Sequence, residues 1–119
     1  MFAIGTDIVK ISRIENIIKD KGDKFLDKIF TQKEIDYCNS NKEPFQHFSG
    51  KFSAKESIKK ALLSKKITDF ISLKDIEIIN KEDKSPYVSI HKDFDGDLNY
   101  HISISHDGDY AVAFAVIEK

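Results

Sequence analysis

The chain opens on a period-two alternation, with Phe2, Ile4, Thr6 and Ile8 on one side and Ala3, Gly5, Asp7 and Val9 on the other. That pattern predicts a strand. One side is large and apolar; the other is small until it reaches Asp7, so something can approach the backbone closely there. The period then lengthens. Ser12-Arg13-Ile14-Glu15 matches a capping box, and Ile14, Ile17 and Ile18 give the helix behind it an apolar stripe. Beyond Gly22, the positions of Phe25, Leu26 and Ile29 predict a helical turn or two. Thr31-Gln32-Lys33-Glu34 is a second capping box, opening a short helix with Ile35 and Cys38 inward. Asn39 to Glu43 reads as a loop. Pro44 suits the first turn of a longer helix running through Phe45, Phe48 and Phe52 to about Leu63. Gly50 interrupts that helix at a cost of about 1 kcal/mol relative to Ala, marking either a close contact or a weak spot.

In the long helix Ala54, Ile58, Ala61 and Leu62 recur at steps of three and four and form one apolar stripe. Glu56 and Lys60 fall on another face, one turn apart, with Phe52 and Leu63 nearby on it. On spacing alone the pair reads as an exposed Glu-to-Lys contact worth a few tenths of a kcal/mol. The apolar neighbours make that face an odd one to leave in water.

Past Ser64-Lys65-Lys66 the pattern returns to strands. Ile76 and Ile78, with Leu73, predict one strand, Lys81 to Ser85 a polar turn, and Tyr87-Val88-Ser89-Ile90 its partner. Asp93-Phe94-Asp95-Gly96-Asp97 imitates a calcium loop. Its glycine comes too early and no glutamate closes it, so it reads as a solvated turn. Asn99 to Ser105 and Tyr110 to Glu118 predict two more strands joined through His106-Asp107-Gly108-Asp109. Tyr100, Ile102, Ile104 and His106 share one face of the first. In the second, Tyr110, Val112, Phe114 and Val116 alternate with Ala111, Ala113 and Ala115, so both faces look buried. A chain of 119 residues has few layers to cover two sheet faces, which points to contact with another subunit.

Length and the absence of linkers or repeats predict one domain, residues 1–119. With 19 basic and 20 acidic residues the net charge is -1, which argues against a nucleic-acid binder. The basic-aromatic strand pattern of small RNA-binding α+β proteins is also missing. The local balance differs: from Lys51 to Lys66 there are six lysines and one acid, Glu56. A basic helix on a nearly neutral protein suits a compact anionic ligand. Cys38 is the only cysteine, so no internal disulfide forms and a reducing compartment fits. It reads as a half-buried apolar residue beside Tyr37. No apolar run reaches the length of a membrane span, and no basic-then-apolar leader opens the chain, so a soluble, cytoplasmic protein is expected.

Ser105-His106-Asp107 imitates a catalytic triad, but adjacent strand residues point to opposite faces and cannot form the relay. His47, His91, His101 and His106 lack zinc-type spacing; His91 and His101 read as surface strand residues. Asp7 and Glu56 with Lys60 are ingredients for magnesium and phosphate. Magnesium takes one or two protein carboxylates, keeps waters and completes its shell with phosphate oxygens. Alone, Asp7 reads equally as a strand-end residue capping the next segment.

Three stretches together resemble the holo-[acyl-carrier-protein] synthase family of phosphopantetheinyl transferases. They are Ile4-Gly5-Thr6-Asp7-Ile8-Val9, Lys51-Phe52-Ser53-Ala54-Lys55-Glu56-Ser57-Ile58-Lys59-Lys60-Ala61, and Ser103-Ile104-Ser105-His106. The resemblance covers nearly the whole chain. It implies an α+β fold, an antiparallel sheet packed with a long helix and short helices, forming a homotrimer with active sites between subunits. It also implies magnesium-dependent transfer of 4′-phosphopantetheine from coenzyme A to a serine of apo acyl carrier protein, releasing adenosine 3′,5′-bisphosphate. By position, Asp7 and Glu56 match the magnesium ligands and Lys60 a lysine contacting coenzyme A phosphate. His106 matches the histidine beside the nucleotide and reacting phosphate, Ser105 its neighbour, and Pro86 a proline bordering the adenine. Glu56, His106 and a metal-bound water all remain open as the base for the serine proton.

The chain departs from the family in two turns. Lys84-Ser85-Pro86 stands where the family has Gly-Lys-Pro or Gly-Arg-Pro, displacing the basic residue by one. Leu63-Ser64-Lys65-Lys66 replaces a glycine-rich loop. The first helix interleaves Arg13, Lys19, Lys21, Lys24 and Lys28 with Glu15, Asp20, Asp23 and Asp27. Arg13 is the expected centre of a salt-sensitive contact with the carrier protein. The alternative from another class is a trimeric module that binds coenzyme A or a carrier protein without turnover.

Overall fold

A computed structural model of the chain describes residues 1–94 and 97–119. Strand β1 (Phe2–Lys10) leads to helices α1 (Ile11–Lys21), α2 (Asp23–Ile29) and α3 (Gln32–Asn39), then to the long helix α4 (Pro44–Ser64). A 3-10 turn at Leu73–Asp75 precedes β2 (Ile76–Asn80) and β3 (Pro86–Ile90), and β4 (Asn99–Asp107) and β5 (Tyr110–Glu118) close the fold. The expected α+β class and element order hold. The calcium-like stretch from Asp93 to Asp97 falls partly outside the described residues.

The strands form a three-stranded antiparallel sheet ordered β1-β5-β4 and a separate two-stranded sheet of β2 and β3. Gly5 opposes Ala115 and Asp7 opposes Ala113, while His106 opposes Ala111. This register lines up Ala3, Gly5, Ala111, Ala113 and Ala115 as a shallow trough, and α4 lies in it. A Cβ on Gly5 would stand 1.9 Å from the carbonyl oxygen of Ser57, so only glycine lets strand and helix approach this closely. At Gly50 an added Cβ would meet Ile104 at 3.1 Å, so the interruption marks a close contact. Across the trough, Ala54, Ile58, Ala61 and Leu62 bury against Ala113, Ala115 and Ile117 and against Ile76 and Ile78. Each buried isoleucine contributes about 2 kcal/mol. A second core gathers Val9, Ile14, Phe30, Cys38 and Phe48.

Two local expectations change. Helix α1 begins at Ile11 with Lys10 as its N-cap and no side-chain cap, because the strand runs straight into the helix and places Ser12 inside the first turn. The capping box at Thr31 and Glu34 forms as expected. Cys38 is fully buried, and burial pushes its thiol up to about 12.

The opposite face of the main sheet is bare. Phe2, Ile4 and Ile8 on β1, with Tyr110, Val112 and Phe114 on β5, are exposed. The alternation shows two faces; packing against a helix selects the small one, and the large one is left uncovered by the described residues.

Candidate active site

Asp7 lies on the covered face of β1, two residues beyond Gly5, where helix and strand nearly touch. The Ser53 hydroxyl donates to the Asp7 carbonyl at 2.8 Å and fixes the strand end against α4. Two turns along the helix, Lys60 Nζ donates to Asp7 Oδ1 at 2.9 Å and to the Thr6 carbonyl at 3.1 Å. The Asp7 carboxylate is 15% exposed, the Lys60 side chain 53%. Glu56 stands three positions after Ser53 and four before Lys60, so it shares their helix face. It is half-buried and has no ion-pair partner among the described residues. Asp7 and Lys60 therefore meet at one edge of the strand-helix seam, with Glu56 on the helix face that carries Lys60. Among the described residues no cluster of three or more His, Cys, Asp or Glu side chains could hold a metal. Any ion at Asp7 and Glu56 would draw its remaining ligands from water or substrate. That hard-oxygen, incomplete donor set fits magnesium better than zinc.

A second constellation lies nearer the start of α4. A cavity of about 240 Å³ is lined by His47 and Lys51 of α4, Lys84 and Pro86 of the β2–β3 hairpin, and Ser105 and His106 of β4. No acidic side chain lines it among the described residues. Lys51 is buried, and its ammonium donates to the Ile78 carbonyl at 2.7 Å and to Asn80 Oδ1 at 2.5 Å. It sits 4.7 Å from the centre of the Tyr37 ring. Burial pulls its pKa down. Burial also lowers His47, helped by Lys51, His106 and Lys84. Lys51 and Lys84 put two amines on a wall that no acid shares among the described residues, which suits an anionic ligand. Gln46 contacts His106, its side-chain nitrogen 2.9 Å from Nε2.

The sequence-predicted residues thus fall into two groups. Asp7, Glu56 and Lys60 form one; Pro86, Ser105 and His106 form the other, with Lys84 beside them and His106 exposed at the end of β4. Neither Lys65 nor Lys66 lines the cavity; both are exposed. The sequence pattern did not single out Lys51 and Lys55, which enter it only as two of six lysines on a basic helix. Both are buried, and the signal was their four-residue spacing alongside the apolar stripe. His101 is an exposed residue of β4, as expected, 2.8 Å from Glu118; His91 is exposed too but lies just past the end of β3, 3.1 Å from Glu77. On α1, Lys19 and Lys21 pair with Glu15 and Asp20. Arg13 is exposed and has no ion-pair partner among the described residues. No helix among the described residues is long and apolar enough to cross a membrane.

Residues 3–115 match the family described as the 4′-phosphopantetheinyl transferase superfamily. The chain is 45% identical over 118 residues to a holo-[acyl-carrier-protein] synthase of Wolbachia pipientis wMel, covering 97% of this chain and 92% of that protein. It is also 45% identical, over 114 residues, to one from Thermodesulfovibrio yellowstonii, covering 96% of each. Among solved structures, the Helicobacter pylori holo-[acyl-carrier-protein] synthase in complex with coenzyme A superposes with a TM-score of 0.80. It is 31% identical, over 97% of this chain and 99% of that one. The Bacillus anthracis enzyme in complex with CoA (3′,5′-ADP) gives 0.79 at 32% identity, over 97% and 94%.

Proposed function

The chain belongs to the 4′-phosphopantetheinyl transferase superfamily, and from that premise we propose a magnesium-dependent transfer carried out by two half-sites on helix α4. It is an enzyme of the holo-[acyl-carrier-protein] synthase kind, moving phosphopantetheine from coenzyme A to apo acyl carrier protein. The observation that supports the finer reading is the contact of Lys60 with Asp7 at the seam, on the helix face that Glu56 shares.

In this reading the carrier's serine oxygen attacks the phosphorus that bears pantetheine. The bond from that phosphorus to the bridging oxygen breaks, and adenosine 3′,5′-bisphosphate leaves with the electron pair. Asp7 and Glu56 would hold the magnesium ion, which when bound neutralises charge on the pyrophosphate oxygens. Lys60, more than half exposed, turns its ammonium from Asp7 towards a phosphate oxygen as negative charge develops. The serine proton passes to Glu56, His106 or water. The cavity with Lys51, Lys84, His106 and Pro86 holds the nucleotide end of coenzyme A.

Because the two groups stand apart along α4, the reading places the working site between subunits. The Asp7 half of one chain meets the His106 half of a neighbour in a homotrimer closed over the bare sheet face. Arg13 offers the carrier protein a cation that no acid of its own helix neutralises. We further place the whole chain, residues 1–119, in one domain and in the cytoplasm.

The test is direct. Purified protein, coenzyme A, magnesium and apo carrier protein should yield, by mass spectrometry, a carrier heavier by one phosphopantetheine. Chelation should suppress the adduct. No adduct with several carrier proteins would overturn the reading.

A further inference from the structure

The β2–β3 hairpin is a two-stranded sheet hydrogen-bonded, within its ladder, only to itself. Such hairpins are marginal alone and take their position from what they pack on. Its apolar contact with α4, through Ile76 and Ile78, is non-directional and does not by itself fix where the hairpin sits. Charged side chains do. Ile78 turns its amide and carbonyl away from β3: the amide donates to Glu34 Oε2 at 2.8 Å, and the carbonyl accepts from Lys51 at 2.7 Å. Lys55, one turn beyond Lys51 and fully buried, ion-pairs with Glu34 Oε1 at 2.6 Å. Its remaining donors go to the carbonyls of Ile29 at 2.8 Å and Leu73 at 3.1 Å. Thr31 donates from its hydroxyl to Glu77 and from its amide to Glu34. An edge strand that would ordinarily pair with another strand is instead held by two buried charged groups, Glu34 of α3 and Lys51 of α4, with Lys55 fixing Glu34 and the turn before the strand.

We infer that the buried Glu34–Lys55 pair is a positioning element that sets the pose of the β2–β3 hairpin against α4, and through it the shape of the cationic cavity. The same hairpin carries Asn80, Lys84 and Pro86 into one wall of that cavity, while α4 and β4 supply the others. Asn80 joins the two, accepting from Lys51 and donating from its amide to the Lys84 carbonyl at 2.9 Å. Neither Glu34 nor Lys55 lines the cavity. They act on the ligand only through the hairpin. An apolar pair of similar volume can replace a buried ion pair without loss of folding, while losing the register that directional bonds impose.

The inference rests on the nucleotide end of coenzyme A entering this cavity, and the test separates the two. The double variant Glu34→Leu with Lys55→Met is expected to fold and to keep kcat within about threefold at saturating coenzyme A. Its KM for coenzyme A should rise about tenfold or more. Amide hydrogen exchange, which needs no ligand, should show protection lost at Ile78 and its hairpin neighbours but kept at Ala113 and Ala115. An unchanged KM with unchanged hairpin exchange would make the pair a structural support only and overturn the inference. Should the double variant not fold, Glu34→Gln, which keeps shape and an acceptor while removing the charge, carries the same two readouts. Wild-type protein showing no saturable dependence on coenzyme A would sink the functional reading, while the exchange pattern still judges the hairpin's anchorage.

Discussion

Lys60 is bound to Asp7, 2.9 Å away across the seam between β1 and α4, and not to Glu56, one turn before it on its own helix. The expected helix pair is thereby replaced by a tertiary one. Glu56 is left without an ion partner among the described residues, and the cation is held at the end of β1. Lys60→Ala removes an ion pair whose lysine is more than half exposed, so the loss of stability should stay below about 1 kcal/mol. Transfer should fall far more, with kcat/KM down about a hundredfold, as for other single donors to developing charge. Thermal melts alongside steady-state kinetics check the split. A large fall in melting temperature with little change in rate would refute it.

Glu56→Gln preserves shape and half-burial. The fold should persist by circular dichroism, while magnesium-dependent transfer disappears, because an amide is a weak ligand for a hard cation. A magnesium titration of the variant reads the outcome. Full activity at ordinary magnesium would remove Glu56 from the site.

Gly5→Ala tests the seam itself. The new Cβ would lie 1.9 Å from the Ser57 carbonyl, a backbone atom of a packed helix that has no side chain to swing away. Strand and helix must separate, at a cost of about 3 kcal/mol or more. Urea unfolding should show a lower midpoint. Activity should fall even where the variant stays folded, because Asp7 moves with the strand.

At Lys84 stability and affinity are set against each other. The residue adopts φ 71°, the left-handed region that favours glycine, and its side chain borders the cationic cavity. Lys84→Gly relieves roughly 1 kcal/mol of backbone strain and adds back roughly half that in chain freedom. The melting temperature should rise slightly, while the KM for coenzyme A increases several-fold. A variant that loses stability would refute the strain, and one that binds coenzyme A as before would show that Lys84 has no part in the site.

Much of this was legible from spacing. The period-two strands, the Thr31 capping box and the apolar stripe of α4 all form as their patterns require, since each depends on neighbours within one or two turns. What failed to show was long-range. Lys51 and Lys55 look like surface lysines until a strand edge with free peptide groups is placed against them. Glu34 looks spent on its capping box until Lys55 arrives from twenty-one positions away. Asp7 and Lys60 meet only because Gly5 and the alanines of β5 let a helix lie in the trough. Alternation along β1 and β5 revealed two faces but not which would be covered. The close contact at Ser57 decided that in favour of the small one.

The uncovered face supplies the last prediction. Phe2, Ile4, Ile8, Tyr110, Val112 and Phe114 form an apolar surface over two adjacent strands, and residues this large are seldom left together in water on a chain this small. If copies of the chain close over it, the face becomes an interface core in which a charge is costly. Phe114 is 47% exposed within the chain, so Phe114→Asp should leave the isolated fold intact. In light scattering the wild type should have the mass of three chains and the variant the mass of one. Transfer should fall with the trimer, because the Asp7 and His106 halves no longer meet. A variant that is monomeric yet fully active would place the whole site within one chain. A wild type already monomeric and active would remove the reason for the bare face altogether.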